Sequence, residues 1–239
     1  MSRARVSLEP GFVLHQRAYR ETSRLLEIFT REHGRVGLVA RGVSGTRGGG
    51  RSALLQPLRP LLLSWIEAGE LGTLTGAESG GEALRLNGEN LICAWYLNEL
   101  LMRCLPRHIQ HPDLYAFYAA ALAALAEGER AAAPILREFE MELLVELGYG
   151  EVQAGDLDPA QRYDYHDGAP VRADHGAWRG DQLCAIANRE WTRPDVLGDA
   201  RRLMRSRLAP LIGKRPLETP RLLQSLRRMR DGTQPANED

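Results

Sequence analysis

The chain has 239 residues, 44% of them hydrophobic, and its 31 basic and 31 acidic side chains cancel. This length allows one or two domains. The longest strongly apolar run, around residues 61–66, is far below the roughly 20 residues of a membrane span, and no stretch of signal-peptide type follows the N-terminal charges. We therefore expect a cytoplasmic protein. Its three cysteines fit neither a disulfide framework nor a C-x-x-C metal site.

The zero net charge hides an uneven distribution of charge along the chain. Residues 1–60 carry a net charge of +7, residues 61–200 carry −13, and residues 201–239 carry +6. Two basic ends therefore flank an acidic middle. Because local charge attracts partners whatever the total, this pattern predicts at least one surface that binds a polyanion.

Five short strands are predicted in the first third of the chain. Apolar runs bounded by turn residues occupy residues 12–19, 24–30, 35–41, 58–66 and 70–75. Gly34 is expected at positive φ in the turn before the third run. Pro57 and Pro60 place the start of the fourth at a sheet edge or a bulge. This spacing predicts a small barrel or sandwich, and a five-stranded barrel with a basic face is typical of oligonucleotide-binding (OB) domains.

Residues 41–52 stand out between the third and fourth predicted strands. They hold five glycines and three arginines, with no acid. Since glycine loses much backbone entropy on ordering, this segment is predicted to be a mobile basic loop. Such a loop suits a polyanion of variable shape, such as single-stranded nucleic acid. The alternative is a long hairpin loop that its arginines merely keep soluble.

Helices dominate the rest of the chain. Apolar residues recur with helical spacing over residues 90–105, 112–126, 134–147, 181–191, 194–212 and 220–230. Residues 149–180 are rich in glycine and aspartate and are predicted to form a small irregular subregion, and the tail 231–239 is predicted to be disordered. The fold class is therefore α+β, with an OB-fold domain over residues 1–80 and a mostly α-helical domain over residues 81–239.

Several motifs carry a family resemblance across nearly the whole chain, in the same order. In the predicted strands they are Phe12-Val-Leu-His, Tyr19-Arg-Glu-Thr-Ser, Phe29-Thr-Arg-Glu-His-Gly-Arg-Val, Leu55-Gln-Pro-Leu-Arg-Pro-Leu and Gly69-Glu-Leu-Gly-Thr-Leu. In the helical part they are Tyr96-Leu-Asn-Glu-Leu-Leu, Leu136-Arg-Glu-Phe-Glu-Met-Glu-Leu-Leu, Leu147-Gly-Tyr-Gly and Leu211-Ile-Gly-Lys-Arg-Pro-Leu. Together they resemble the RecO family of bacterial recombination mediators.

This resemblance implies an OB barrel followed by a helical domain, and no catalytic turnover. It implies binding to single- and double-stranded DNA, annealing of complementary strands, and contact with the acidic, apolar C-terminal tail of single-stranded DNA-binding protein (SSB). It also implies that the chain pairs with RecR to help load RecA. These activities are those of DNA repair and homologous recombination, associated with the nucleoid.

The sequence departs from the family in two places. Some members hold zinc with four cysteines in the region corresponding to residues 149–185, where this chain has Cys184 alone. His166 and His175 do not complete a tetrahedral set, so we predict no zinc and no other cofactor. The family's loop corresponding to residues 41–52 is denser in lysine and arginine, and the glycines here predict weaker DNA contact by the loop.

The candidate DNA contacts lie on the predicted barrel. Arginines at both ends of the third strand and in the loop are expected to bind phosphates, with further candidates on the first hairpin: Arg35, Arg41, Arg47, Arg51, Arg17, Arg24 and Tyr19. Tyr19 is a possible stacking platform for a base, although packing within the domain is the more ordinary role for it. Phe12, Phe29 and Trp65 are predicted to be core residues. A solvated charged face is the alternative for the arginines.

Two further candidate sites lie in the helical part. By resemblance, Arg137, Phe139, Met141 and Leu144 are candidates for binding the SSB tail, which needs an apolar groove and a cation for its carboxylates. The alternative is that Arg137 pairs with Glu140 in the same helix. A second basic surface, either an extension of the DNA path or a solvated face, is predicted from Arg201, Arg202, Arg205, Arg207, Arg227, Arg228 and Arg230.

No catalytic motif is found. The sequence has no G-x-S-x-G, no phosphate-binding loop ending in G-K-[ST], no H-E-x-x-H and no D-x-D cluster. The competing interpretation is therefore a non-catalytic adaptor that binds proteins but not DNA. The +7 charge of residues 1–60 favours DNA binding, because an adaptor does not need it.

Overall fold

A computed structural model describes residues 4–43, 49–150, 153–166 and 168–230 of the chain. Its first part contains the strands β1 (Arg5–Tyr19), β2 (Ser23–Thr30), β3 (Gly34–Ala40), β4 (Pro60–Ile66) and β5 (Leu71–Ser79), with the short helix α1 (Gly49–Leu54) between β3 and β4. The helices that follow are α2 (Gly88–Cys104), α3 (Pro112–Glu127) and α4 (Ala132–Glu146). Next come a small sheet, β6 (Arg162–His166), β7 (Ala169–Arg172) and β8 (Trp178–Arg179), and the helices α5 (Gly180–Ala187), α6 (Pro194–Ile212) and α7 (Glu218–Arg230).

The five predicted strands form a closed barrel in the order β1-β2-β3-β5-β4. All pairings are antiparallel except that of β3 with β5. This confirms the predicted α+β class, with a barrel of OB type preceding a mostly helical region. β1 begins at Arg5, seven residues earlier than predicted, because its first half pairs with β4 on both sides of a bulge between Val6 and Glu9.

The seam between β3 and β5 is the shortest pairing of the barrel. Only three residue pairs join the two strands, from Gly37 with Leu71 to Val39 with Thr73. Both strands carry a glycine there. A Cβ on Gly37 would lie 2.8 Å from the Leu71 side chain, and a Cβ on Gly72 would lie 2.7 Å from that of Leu38. The absence of a side chain on either glycine therefore lets these leucines pack closely against the seam.

Strand β2 is buried on both faces. Leu26 and Ile28 point into the barrel with the rest of its core, and Leu25, Glu27 and Phe29 point outward but are also covered. Two tyrosines of α3 cover part of the outer side, with ring centroids 5.2–6.0 Å from those of Phe12 and Phe29: Tyr115 and Tyr118. The predicted burial of Phe12, Phe29 and Trp65 is confirmed.

Helix α1 corrects part of the prediction for residues 41–52. A loop was expected throughout, but residues 49–54 form a short helix, and the side chain of Leu55 just after it is fully buried in the barrel core. Burial of Leu55 and of Val43 thus anchors both flanks of the glycine–arginine segment. Residues 44–48, including Arg47, lie outside the described residues, as does the side chain of Arg51.

The chain divides into two compact units. The first comprises residues 1–127 and 217–239, so α2, α3 and α7 belong with the barrel, and the second comprises residues 128–216. The sequence-predicted boundary at residue 80 therefore lies inside the first unit, where it separates strands from helices. The predicted disordered tail, residues 231–239, lies outside the described residues.

In the second unit, a three-stranded sheet of order β7-β6-β8 replaces the irregular structure predicted for residues 149–180. Buried Arg207 of α6 fixes its surroundings. Its Nη2 lies 2.6, 2.9 and 3.1 Å from the carbonyl oxygens of Tyr149, Gly150 and Gly168, and its guanidinium stands 5.0 Å from the ring centroid of Tyr165. Arg207 is thus an internal clamp, although the sequence pattern assigned it to an exposed basic surface.

Candidate nucleic-acid interface

The strand register places several of the candidate residues on one side of the barrel. Directly paired residues point to the same side of a sheet, and the side alternates along each strand. Arg17 pairs with Leu25, which pairs with Val39, and Tyr19 pairs with Ser23. Because Leu26 and Ile28 face the core, all these residues face outward. This is the β2–β3 face with which OB folds bind oligonucleotides.

One part of that face is accessible, and we define the open face as Arg17, Tyr19 and Val39 on the strands, together with Arg41, which directly follows the last residue of β3. Arg17 and Arg41 are exposed, and Tyr19 and Val39 are half-buried. Within the described part of the chain, neither Arg17 nor Arg41 forms an ion pair. Both guanidinium groups are therefore available to an anionic ligand.

The turn between β1 and β2 strengthens the positive charge at this end of the barrel. Arg20 has a φ of 57° and holds its guanidinium 5.2 Å from the ring centroid of Tyr19. The Val43 amide donates to the Thr22 carbonyl at 3.0 Å, so the start of the glycine–arginine segment is tied to this turn. Arg20 thus forms a cation–π contact with Tyr19 at the edge of the open face.

Arg24 lies on the other side of the same strands. It pairs with Ala18 and Ala40, whose side chain belongs to the barrel core, so Arg24 is directed toward the barrel end. Its Nη1 donates to Gln16 Oε1 at 2.8 Å. Arg24 is half-buried and already bonded to Gln16. It therefore adds positive charge near the open face but is not part of that face.

Arg35 shares the outer side but lies beneath α2. It pairs with Phe29, and its Nη1 donates to the Met102 carbonyl at 2.7 Å. Burial lowers the pKa of Arg35, and the charge of nearby Arg107 lowers it further, while Glu27 opposes both. The half-buried guanidinium thus attaches the barrel to α2, and the open face ends where α2 begins.

Arg107 is a residue of this region that the sequence analysis missed. Its Nε donates to Glu27 Oε2 at 3.3 Å and its Nη2 donates to Oε1. The neighbouring His108 amide donates to the Arg35 carbonyl at 2.9 Å, which extends the edge of β3. No motif surrounds Arg107, so only tertiary structure reveals its role.

The four residues predicted to bind the SSB tail lie on α4 in the second unit, and all four are buried: Arg137, Phe139, Met141 and Leu144. Arg137 Nε donates to Glu140 Oε2 at 2.7 Å and Nη2 donates to Oε1, with both side chains at most 8% exposed. The intrahelical pair considered as the alternative is therefore present.

The arginines of the predicted second basic surface are divided between the two units. Arg201, Arg202 and Arg205 are exposed on α6, where Arg202 stacks 4.4 Å from the ring centroid of Trp178. Arg227 and Arg228 are exposed on α7. The side chain of Arg230 lies outside the described part of the structure. Exposed arginines of the predicted surface are therefore present in both units.

Among the described residues, no helix is long and apolar enough to cross a membrane. The same part of the chain contains no group of three or more His, Cys, Asp or Glu side chains that would hold a metal ion. The expectation of a zinc-free protein remains a prediction.

Comparison with known proteins agrees with this architecture. The family model for the N-terminal part of recombination protein O matches residues 3–80, and that for its C-terminal part matches residues 85–152. The chain is 47% identical to the DNA repair protein RecO of Nitrosococcus oceani over 237 residues, which cover 94% of this chain and 96% of that protein. It is 42% identical over 231 residues to RecO of Methylococcus capsulatus, covering 93% and 95%. Against RecO of Pseudomonas aeruginosa PAO1 the identity is 40% over 223 residues, covering 90% and 93%.

Proposed function

The chain belongs to the RecO family of DNA repair proteins, and on this premise we propose that it binds single- and double-stranded DNA through the open face and anneals complementary strands. The observation that carries this proposal is a pair of exposed arginines that form no ion pair within the described residues: Arg17 on the face that OB folds use for oligonucleotides, and Arg41 directly after strand β3 of that face. Its activity requires no catalytic turnover, and its place is with the DNA of the cytoplasmic nucleoid.

The composition of the open face favours contact with the phosphate backbone. Tyr19 is its one aromatic residue, and Arg20 already occupies that ring. Phe12, Phe29 and Trp65 are buried and cannot stack on bases. Because phosphate contacts leave base edges exposed, a strand bound in this way can still pair with its complement. This is the physical basis that we propose for annealing.

Arg35 has a different role in this proposal from the phosphate contact predicted for it. Its hydrogen bond to the Met102 carbonyl and its partial burial favour a positioning role. In this role Arg35 attaches the barrel to α2, and α2 forms the border of the open face. Arg47 and Arg51 remain proposed phosphate contacts of the glycine–arginine segment.

Family membership supports three protein partners: SSB, RecR and, indirectly, RecA, which the protein would help to load on SSB-coated DNA. For the acidic SSB tail we keep α4 as the proposed site. Since Arg137 is paired with Glu140, a tail carboxylate would have to replace Glu140 as its partner. An anisotropy titration with a tail peptide tests this, and equal affinity for the wild type and a folded Arg137→Met variant would exclude the contact.

A salt-dependent titration with single-stranded DNA tests the central proposal. The affinity should fall as salt rises, with a logarithmic slope of about −0.7 for each phosphate neutralised. A slope near zero, or no measurable binding at physiological salt, would instead favour the adaptor that contacts only proteins.

A further inference from the structure

Helices α2 and α7 pack antiparallel in the first unit. The Glu99 carboxylate accepts bonds from the Glu218 and Thr219 amides at 2.8 and 3.0 Å and from the Thr219 hydroxyl at 2.6 Å. Near the other end, Arg227 donates to Glu89 at 2.7 and 3.1 Å. These two anchors are ten residues apart on α2, so they hold the helices side by side over about 15 Å.

Both helices expose large apolar side chains. On α7 these are Leu222, Leu226 and Met229, with 52%, 39% and 63% of their surface exposed, at the i, i+4 and i+7 spacing of one helical face. On α2 they are Leu91 and Trp95, each 36% exposed and also four residues apart. We call these five residues the apolar groove.

Helical geometry places both sets on the same flank of the pair. At about 100° per residue, the apolar pair of α2 lies about 100° around its helix from the two carboxylates that contact α7. On α7, the first two groove leucines lie about 80° from the two residues that contact α2. Seen along each helix from its N-terminus, both apolar sets are rotated from the contact residues in the same sense. Because the two helices are antiparallel, equal rotations in the same sense bring both sets to the same flank of the pair. The five apolar side chains therefore lie on one flank of the helix pair, an arrangement on which a third, amphipathic helix can pack.

The charge around the groove indicates which helix would fit. By sequence, α2 and α7 together carry five arginines and three glutamates; Glu89 neutralises Arg227, and Glu99 accepts hydrogen bonds from the first turn of α7, so the remaining charge is positive. Exposed Arg221 and Arg228 add positive charge on the outer side of α7. This field attracts an acidic segment and repels a basic one.

Two other occupants are disfavoured by the same observations. A second copy of the chain would bring one basic α7 against another. The chain's own tail, residues 231–239, has no bulky apolar side chain with which to fill the groove. We propose that the apolar groove binds an acidic, amphipathic helix of a partner protein, at a surface distinct from both the open face and α4.

The test uses the full-length protein and a fluorescent helical peptide of about 18 residues, about five turns, with leucines at i, i+4 and i+7 spacing and glutamates elsewhere. We expect anisotropy to report saturable binding that Leu222→Asp weakens at least tenfold, largely through faster dissociation. Arg221→Glu with Arg228→Glu should mainly slow association and reduce its salt dependence. The matched control is Val171→Asp, which changes an exposed apolar residue of the second unit and should leave affinity unchanged.

Several outcomes would overturn the proposal. They are no binding of the glutamate peptide, equal binding of a lysine version of it, or equal losses from Leu222→Asp and Val171→Asp. Displacement of the bound peptide by single-stranded DNA would assign the groove to nucleic acid instead. Circular dichroism of each variant, together with the more conservative Leu222→Gln, separates loss of the groove from loss of the fold.

Discussion

The double substitution Arg17→Gln and Arg41→Gln should lower the affinity for DNA and make that affinity less dependent on salt. Both arginines are exposed on the open face and make no ion pair within the described chain. Their removal therefore takes away phosphate contacts without breaking bonds that hold the barrel together. We expect the variant to unfold at the same temperature as the wild type.

The size of the effect follows from counterion release. Each phosphate neutralised on single-stranded DNA contributes about 0.7 to the logarithmic salt slope, which at about 0.1 M salt corresponds to roughly fivefold in affinity. Replacing two arginines that each neutralise one phosphate should therefore lower the affinity for single-stranded DNA roughly 25-fold. The slope itself should become shallower by about 1.4.

Fluorescence anisotropy with a labelled single-stranded oligonucleotide, at several salt concentrations, measures both quantities. The matched control is Arg5→Gln with Arg31→Gln, which removes the same charge from exposed arginines at other positions on the barrel. If the control and the open-face variant lose the same affinity and slope, net charge alone explains binding. The assignment of the open face would then be wrong.

Four further predictions concern the scaffold and α4. Gly34→Ala should destabilise the barrel by at least about 2 kcal/mol, because residue 34 has a φ of 63° and a Cβ there would lie 1.8 Å from the Ile109 carbonyl oxygen; a wild-type midpoint in thermal unfolding would contradict this. Arg207→Met should cost about 3 kcal/mol in urea unfolding, since it removes a charged donor shared by three carbonyl oxygens, whereas Arg205→Met, an exposed neighbour, should be nearly neutral. Arg137→Glu should destabilise the protein by about 3 kcal/mol or more by leaving two carboxylates together in a buried site, and unchanged unfolding would mean that the pair opens readily. Prolonged treatment with a chelator should leave the unfolding temperature unchanged, and a fall would reveal a structural metal.

Much of the fold was predictable because its elements have regular patterns. Alternation and turn residues gave the five barrel strands, and apolar periodicity gave the six longer helices to within a few residues at most ends. The exceptions depend on tertiary contacts. Helix α1 lies in a glycine-rich segment without helical periodicity, and it is followed directly by Leu55, which is buried in the barrel core. The sheet of β6, β7 and β8 consists of strands too short and polar to give a clear pattern.

The candidate site was less predictable, because charge in a sequence does not reveal which side chains are accessible. Arg17, Arg35 and Arg41 carry the same charge, and all three lie on or directly beside the outer side of β1 and β3. Only the packing of α2 distinguishes the half-buried Arg35 from the other two. Arg137 and Arg207 are similar cases, since nothing in their local sequence distinguishes a buried arginine from a solvated one.

The short seam between β3 and β5 has a consequence for how the barrel assembles. The β1–β2 and β2–β3 hairpins join residues close in sequence, whereas the seam joins Gly37 to Leu71. Closing so long a loop for only three residue pairs costs chain entropy that local hairpins do not lose. We therefore expect the hairpins to form before the two non-local pairings, β1 with β4 and β3 with β5, and the seam of three residue pairs at the two glycines to be the weaker of these two. Amide hydrogens along this seam should exchange with solvent sooner than those of doubly buried β2.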